Sequence, residues 1–144
     1  MLKGIPSCIS PELLRILMEM GHGDDLVLAD GNFPSASVAR HLVRADGLNV
    51  PILLDAILQF LPLDDFVPLP VGLMAIVPGH EYHQPDIWST YLEIIRKHEP
   101  RFQEFEYLER FGFYERAKSA YAVVATSESA LFANVILKKG IVSG

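Results

Sequence analysis

Clusters of basic residues and paired cysteines are both missing from this sequence. Its 12 Lys and Arg are outnumbered by 18 Asp and Glu, which gives a net charge of -6. Proteins that bind nucleic acid concentrate Lys and Arg on one face, so no nucleic-acid partner is expected. The only cysteine, Cys8, cannot form an intramolecular disulfide. Because residues 1–6 lack the apolar core of a signal peptide, we expect a cytoplasmic protein.

The sequence also has no hydrophobic run long enough to cross a membrane. The longest run, Phe66 to Val77, is short and contains two prolines and a glycine, so no membrane partner is expected. Half of the residues are nevertheless hydrophobic, and the mean hydropathy is +0.24. A chain of 144 residues with this composition predicts one domain, residues 1–144, with a large core. The apolar excess favours further burial between subunits, and hence a homo-oligomer.

Helical and extended patterns alternate along the chain. Ser10, Pro11 and Glu12 are typical of a helix start, and Gly21 is expected to end that helix in the left-handed conformation. Short apolar runs that suit buried strands alternate with segments of helical periodicity. The predicted strands are 26–29, 42–44, 71–77, 106–108, 121–125 and 135–137, and the predicted helices are 11–20, 51–60, 85–98 and 113–119. This alternation predicts a single-domain three-layer α/β/α sandwich.

The residues around the first predicted strand are the strongest candidates for chemistry. His22 lies in a turn between two glycines, where an imidazole can approach a ligand and move protons near neutral pH. Asp30 follows the strand, and carboxyl ends of strands in α/β sheets are where ligands bind. The two side chains are expected to share a cleft. The alternatives are a solvated turn histidine that caps a helix, and an aspartate that caps the Asn32 or Phe33 amide.

Two further polar residues are weaker candidates. Arg110 lies between a predicted strand and a helix, where its guanidinium could bind hydroxyls or a carboxylate. The alternative, favoured by the local pattern alone, is a surface ion pair with Glu109 or Glu106. Asn134 opens the last strand and offers both a donor and an acceptor to a polyol, or it completes a turn.

Other kinds of site find little support. His80 and His83 could share a metal ion, but no third ligand is evident, and no metal is expected. No glycine-rich phosphate loop is present, which disfavours the alternative of a nucleotide-binding regulatory domain. Ser127 and Cys8 lack the context of a catalytic nucleophile.

Several short blocks along the chain form a recognisable set: Leu2–Ile5, Ser10–Leu14, Glu19–Asp24, Asp30 with Phe33–Pro34, Arg44–Gly47, Arg110–Phe111, Phe113–Ala117, and Asn134 with Leu137–Gly140. Taken in order, these blocks closely resemble the L-fucose mutarotase and D-ribose pyranase family over nearly the whole chain. Ser-Pro-Glu-Leu-Leu, Arg-Ala-Asp-Gly and Phe-Tyr-Glu-Arg-Ala look more like the fucose branch.

The resemblance implies an RbsD-like fold and a cofactor-independent enzyme that interconverts sugar anomers or ring forms, assembled as a homo-oligomer, often a decamer. It implies that His22 is the proton donor and that Asp30 and Arg110 hold sugar hydroxyls. Phe132, Ala133 and Asn134 would close the pocket. The family pattern there is Tyr-Gly-Asn, so the phenol hydroxyl is missing here, which affects substrate choice or rate. A sugar-binding module without turnover is therefore the alternative function.

Overall fold

The computed structural model describes residues 1–81 and 85–144, and this part of the chain forms one six-stranded sheet flanked by five helices. The strands are β1 (Asp25–Ala29), β2 (Leu42–Ala45), β3 (Val71–Met74), β4 (Glu106–Leu108), β5 (Ala122–Thr126) and β6 (Val135–Lys138). The helices are α1 (Pro11–Glu19), α2 (Ser35–Val38), α3 (Val50–Ile57), α4 (Asp86–His98) and α5 (Arg110–Ser119).

The strand order in the sheet is β2-β5-β1-β6-β3-β4. Neighbouring strands are parallel except around β6, which runs antiparallel to both β1 and β3. The carboxyl ends of the other five strands and the amino end of β6 therefore meet at one edge of the sheet. We call this the carboxyl edge, and the other the amino edge.

Two apolar cores, one on each face of the sheet, confirm the predicted three-layer sandwich. Along β1, Leu26 and Leu28 belong to the core under α1, α3 and α4, whereas Val27 and Ala29 belong to the core under α2 and α5. This alternation follows from the two-residue period of a strand. Because both faces are covered, residues 26–29 of β1 and residues 122–125 of β5 are all apolar, as the sequence pattern predicted.

The start of α1 is confirmed, but its end differs from the prediction. The Ser10 hydroxyl accepts a hydrogen bond of 3.0 Å from the Leu13 N–H at the helix start. The helix ends at Glu19, and the next residue, Met20, is extended and buried, so its side chain packs into the core. Gly21 does not take the left-handed conformation; Gly23 does, with φ of 87°. The turn around His22 thus needs a glycine after the histidine rather than before it.

Other elements also differ from the sequence pattern, and α3, predicted to reach residue 60, ends at Ile57. The strand predicted to reach residue 77 ends at Met74. The short helix α2 had no helical periodicity and was not predicted. Helix α5 begins at Arg110 rather than at residue 113, because the Glu109 carboxylate accepts hydrogen bonds from the Phe111 and Gly112 N–H groups.

Within the described residues, no helix has the length and the apolar character needed to span a bilayer.

Candidate functional site

A pocket of about 410 Å³ opens at the carboxyl edge of the sheet. This volume lies in the range of small-molecule sites. Aromatic and aliphatic side chains form much of its wall. Its polar and ionisable members are Asp30, Asn32, His80, Arg110, Tyr114 and Asn134. The structure thus brings together four of the five predicted sugar-binding residues, Asp30, Arg110, Phe132 and Asn134, which are separated by up to 104 positions in the sequence.

Asp30 lies immediately after β1 and is only 9% exposed. One of its carboxylate oxygens accepts a hydrogen bond of 2.9 Å from the Asn32 N–H, so the predicted capping contact exists as well. Burial raises the pKa of Asp30, while hydrogen bonds from the Asn32 and Phe33 amides and from the Asn134 side chain partly offset this rise. The result is a carboxyl group in a pocket wall that gives up its proton less readily than an exposed aspartate.

Arg110 is the first residue of α5, and its side chain is held over the pocket by an aromatic neighbour. Its Nε donates a hydrogen bond of 3.2 Å to the Tyr114 hydroxyl, and its guanidinium carbon lies 5.5 Å from the centre of that ring. The alternative prediction of a surface ion pair is wrong, because Glu109 caps α5 and Glu106 pairs with Arg116. The guanidinium therefore keeps donors for a ligand.

The segment 132–134 is held from behind by α4. The Trp88 indole N–H donates to the Phe132 carbonyl at 2.8 Å, and the Tyr91 hydroxyl donates to the Ala133 carbonyl at 2.6 Å. Phe132 has φ of 55°, in the left-handed region that a large side chain rarely adopts. Phe132 and Asn134 line the pocket, whereas Ala133 is fully buried behind it.

His22 lies at the amino edge, away from this pocket. It precedes β1, and Asp30 follows β1; a strand of five residues spans roughly 16 Å at about 3.3 Å per residue. The expectation that His22 and Asp30 share a cleft is therefore not met within one copy of the chain. The His22 side chain is 38% exposed, and its ring meets the Phe66 ring edge-on, with the centroids 4.9 Å apart.

A carboxylate that the sequence analysis did not single out contacts His22. Oδ1 of Asp64 lies 3.0 Å from Nε2 of His22, and the Asp64 side chain is only 5% exposed. Burial alone would raise the pKa of Asp64. Hydrogen bonds from His22 and the Phe66 N–H, with the charges of His22 and Lys138, outweigh burial and lower that pKa below its ordinary value. The only sequence signal was a carboxylate after the apolar Leu63, and the separation of 42 positions from His22 concealed the pairing.

The metal hypothesis depended on His80 and His83. His80 lines the pocket, and His83 lies outside the described residues. Within residues 1–81 and 85–144, the structure contains no group of three or more His, Cys, Asp or Glu side chains arranged to hold a metal ion.

Comparison with known proteins identifies relatives over almost the whole chain. Human fucose mutarotase is 48% identical, and the match covers 99% of this chain and 95% of that protein. L-fucose mutarotase of Actinobacillus pleuropneumoniae is also 48% identical, over 98% of this chain and 97% of that protein.

Comparison with solved structures identifies proteins of the same kind. Fucose mutarotase from Streptococcus pneumoniae, solved in complex with L-fucose, is 54% identical, covers 99% of this chain and 100% of its own, and superposes with a TM-score of 0.94. Bacillus subtilis RbsD complexed with D-ribose has a TM-score of 0.72 at 22% identity, covering 99% of this chain and 100% of its own, which shows a shared fold. The RbsD / FucU transport protein family model matches residues 3–142. The predicted resemblance is thereby confirmed, and the chain belongs to the RbsD / FucU family.

Proposed function

We propose that the chain is a cofactor-independent mutarotase, an isomerase that interconverts the α and β anomers of L-fucose in the cytoplasm. The observation that carries this proposal is the pocket in which Asp30, Arg110 and Asn134 converge. A carboxylate, a guanidinium and an amide together can bind several hydroxyl groups of a monosaccharide. Relatives that match nearly the whole chain and bear the name fucose mutarotase support the same substrate class.

The proposed reaction needs only proton transfers. A base takes the proton of the anomeric hydroxyl while the bond between the anomeric carbon and the ring oxygen breaks, and the ring oxygen receives a proton. The open aldehyde rotates about its first carbon–carbon bond and closes again on the other face. We assign both transfers to His22, directly or through water, because an imidazole can donate and accept protons near neutral pH.

His22 can take part only if a second copy of the chain brings it to the pocket, because within one copy the two lie at opposite edges of the sheet. Exposed apolar side chains at both edges support this arrangement. Leu131 lines the pocket and is 71% exposed, and Phe66 packs against His22 and is 70% exposed. Contact between copies would remove both from water. We therefore propose a homo-oligomer, a decamer by family resemblance, with sites shared between neighbouring copies.

Saturation-transfer or exchange NMR tests the activity directly. Wild-type protein should accelerate anomer exchange of L-fucose, and D-ribose, D-galactose and L-rhamnose define the substrate range. His22→Ala should abolish the acceleration with the fold intact, as circular dichroism would check. His41→Ala is the matched control, because that histidine is exposed and does not line the pocket. Unchanged exchange in His22→Ala would reject its role.

Mixing two inactive variants tests the shared site. In oligomers assembled from equal amounts of His22→Ala and Asp30→Asn chains, about one quarter of the sites combine both native residues if neighbours contribute them. The mixture should therefore regain measurable exchange after joint refolding. A mixture that stays inactive, although native gels show mixed oligomers, would contradict the shared site.

A sugar-binding module without turnover is the second candidate. Phe132, which stands where the family has tyrosine, favours it because the pocket loses a hydroxyl donor. Binding of L-fucose without faster exchange would support this candidate over the mutarotase.

A further inference from the structure

The His22 ring is held on one side by Asp64 and Phe66. Asp64 Oδ1 lies 3.0 Å from Nε2, and the same oxygen accepts a hydrogen bond of 3.0 Å from the Phe66 N–H. The Phe66 ring meets the imidazole edge-on. One ring nitrogen thus has a fixed partner, while the side chain as a whole keeps 38% of its surface exposed.

The chain segment that carries Asp64 is anchored on both sides, so this contact is built into the fold. The Asp64 N–H donates to the Lys138 carbonyl at 2.9 Å, and the Leu63 N–H donates to the Glu99 carboxylate at 3.1 Å. The Gly140 N–H donates to the carbonyl of Pro62 at 2.7 Å. These bonds tie the segment to the end of β6 and to the end of α4.

The identity of the acceptor determines which nitrogen of His22 carries a proton. An ionised carboxylate can only accept hydrogen bonds. The Phe66 N–H and the nearby Lys138 charge both favour the ionised form of Asp64. Nε2 must then be the donor toward Asp64, and in a neutral imidazole the lone pair is left on Nδ1.

We propose that Asp64 is a positioning residue that keeps neutral His22 in the Nε2–H tautomer, so that Nδ1 is the atom that exchanges protons with the sugar. The role in turnover rests on the proposed mutarotase function. Nδ1 accepts the proton of the anomeric hydroxyl as the ring bond breaks, and returns it to the ring oxygen, directly or through water. No proton is consumed overall. The Asp64 carboxylate stabilises the imidazolium that exists between the two transfers, as carboxylates do for other catalytic histidines.

The tautomer can be measured in the wild-type protein. Long-range ¹⁵N–¹H NMR of protein labelled with ¹⁵N-histidine distinguishes protonated from unprotonated ring nitrogens, and the signals that vanish in His22→Ala identify this residue. At a pH where His22 is neutral, we expect the proton on Nε2 and an unprotonated Nδ1. A dominant Nδ1–H tautomer would overturn the proposal, whatever the behaviour of any variant.

Asp64→Asn removes the charge at nearly constant size. It should lower kcat for L-fucose anomer exchange by about 10- to 100-fold, with a much smaller change in KM, because the partner of a proton-transferring group is altered rather than the sugar pocket. Asp64→Glu should restore part of the rate. Asp65→Asn is the matched control, since the neighbouring carboxylate is exposed and should leave kcat unchanged.

The outcomes separate this proposal from the function on which it rests. If wild-type protein does not accelerate exchange, the mutarotase function fails, and the tautomer measurement still decides how Asp64 holds His22. If His22→Ala is inactive while folded Asp64→Asn keeps the full kcat, the positioning role of Asp64 fails alone.

Discussion

The backbone N–H of Asp30 donates a hydrogen bond of 2.7 Å to Oδ1 of Asn134. This bond joins the end of β1 to the residue that precedes β6. Both residues are nearly buried, and both line the pocket. The antiparallel insertion of β6 between β1 and β3 is what makes the contact possible, because it brings the start of one strand beside the end of another.

Asn134→Ala should weaken both the fold and sugar binding. It leaves the buried Asp30 N–H without an acceptor, which costs about 1–3 kcal/mol in the free energy of unfolding. Urea denaturation measures that loss, and saturation-transfer NMR with L-fucose measures the binding. Asn134→Asp keeps an acceptor oxygen but adds a charge beside Asp30, so it should be most destabilising at neutral pH. Wild-type stability in Asn134→Ala would contradict the importance of this bond.

Tyr91→Phe should loosen the wall formed by segment 132–134. The Tyr91 side chain is fully buried, and its hydroxyl satisfies the Ala133 carbonyl, which cannot reach water. Loss of that donor should cost about 1–3 kcal/mol in the free energy of unfolding and raise the KM for L-fucose.

Tyr121→Phe provides the matched control for this prediction. Its hydroxyl donates at 2.7 Å to the Glu19 carboxylate in an exposed contact, where water can replace it. Chemical denaturation should show little change for this variant. If Tyr91→Phe and Tyr121→Phe lower the free energy of unfolding equally, the hydrogen bond from Tyr91 to the Ala133 carbonyl has no special role.

Asp30 and Asp64 should affect the pH dependence of stability with opposite signs. The pKa of Asp30 is raised by burial above the ordinary 3.8, so the folded state binds this proton more tightly than the unfolded state. The free energy of unfolding contributed by Asp30 therefore falls as pH rises from about 3.8 through the raised pKa. Asp30→Asn should remove this fall and gain stability relative to wild type across that window.

The pKa of Asp64 is lowered, so its contribution to stability changes with pH in the opposite direction to that of Asp30. Its ionised form stabilises the folded state above the ordinary value of 3.8, and this contribution disappears as pH falls through the lowered pKa. Wild type should therefore exceed Asp64→Asn in stability at pH 6, and the difference should shrink in acid. Urea titrations of wild type, Asp30→Asn and Asp64→Asn at several pH values give the free energy of unfolding as a function of pH for each protein. If that free energy changes with pH in the same way in both variants, the opposite signs assigned to Asp30 and Asp64 are contradicted.

The sequence predicted most of the fold because most elements carry strong local signals. The cap at Ser10 and the apolar runs of β1 and β5 depend on neighbouring residues only. Helix α2 could not be predicted, since four residues carry no periodicity and its formation depends on packing against α5 and β5. The left-handed residue in the His22 turn was assigned to the wrong glycine, because Gly21 and Gly23 look equivalent without the burial of Met20.

The candidate site could be predicted only in part. Asp30, Arg110 and Asn134 share an edge because the strands that precede or follow them do, and the family resemblance had already grouped them. The separation of His22 from that pocket depends on which end of β1 each residue occupies. The pairing of His22 with Asp64 depends on a long connection through α3, which no local pattern specifies.

Gly140→Ala should disturb the Asp64 segment from outside the site. A Cβ atom at this position would lie 2.5 Å from the Leu63 carbonyl oxygen and 3.0 Å from the Asp64 Cα, so backbone must move. Overpacking of this kind costs about 1–3 kcal/mol in the free energy of unfolding, and the shift should also lower kcat for anomer exchange by displacing Asp64 from His22. Thermal and urea denaturation, together with exchange NMR, measure the two effects.

Gly112→Ala is the control for an added methyl group. A Cβ there would meet nothing within 4 Å, and its helical position in α5 predicts a free energy of unfolding that is unchanged or higher by up to about 1 kcal/mol. If Gly140→Ala lowers stability but leaves the His22 tautomer and kcat at their wild-type values, the backbone has relaxed away from Asp64. In that case the Asp64 segment is more compliant than its hydrogen bonds to Lys138 and Glu99 imply.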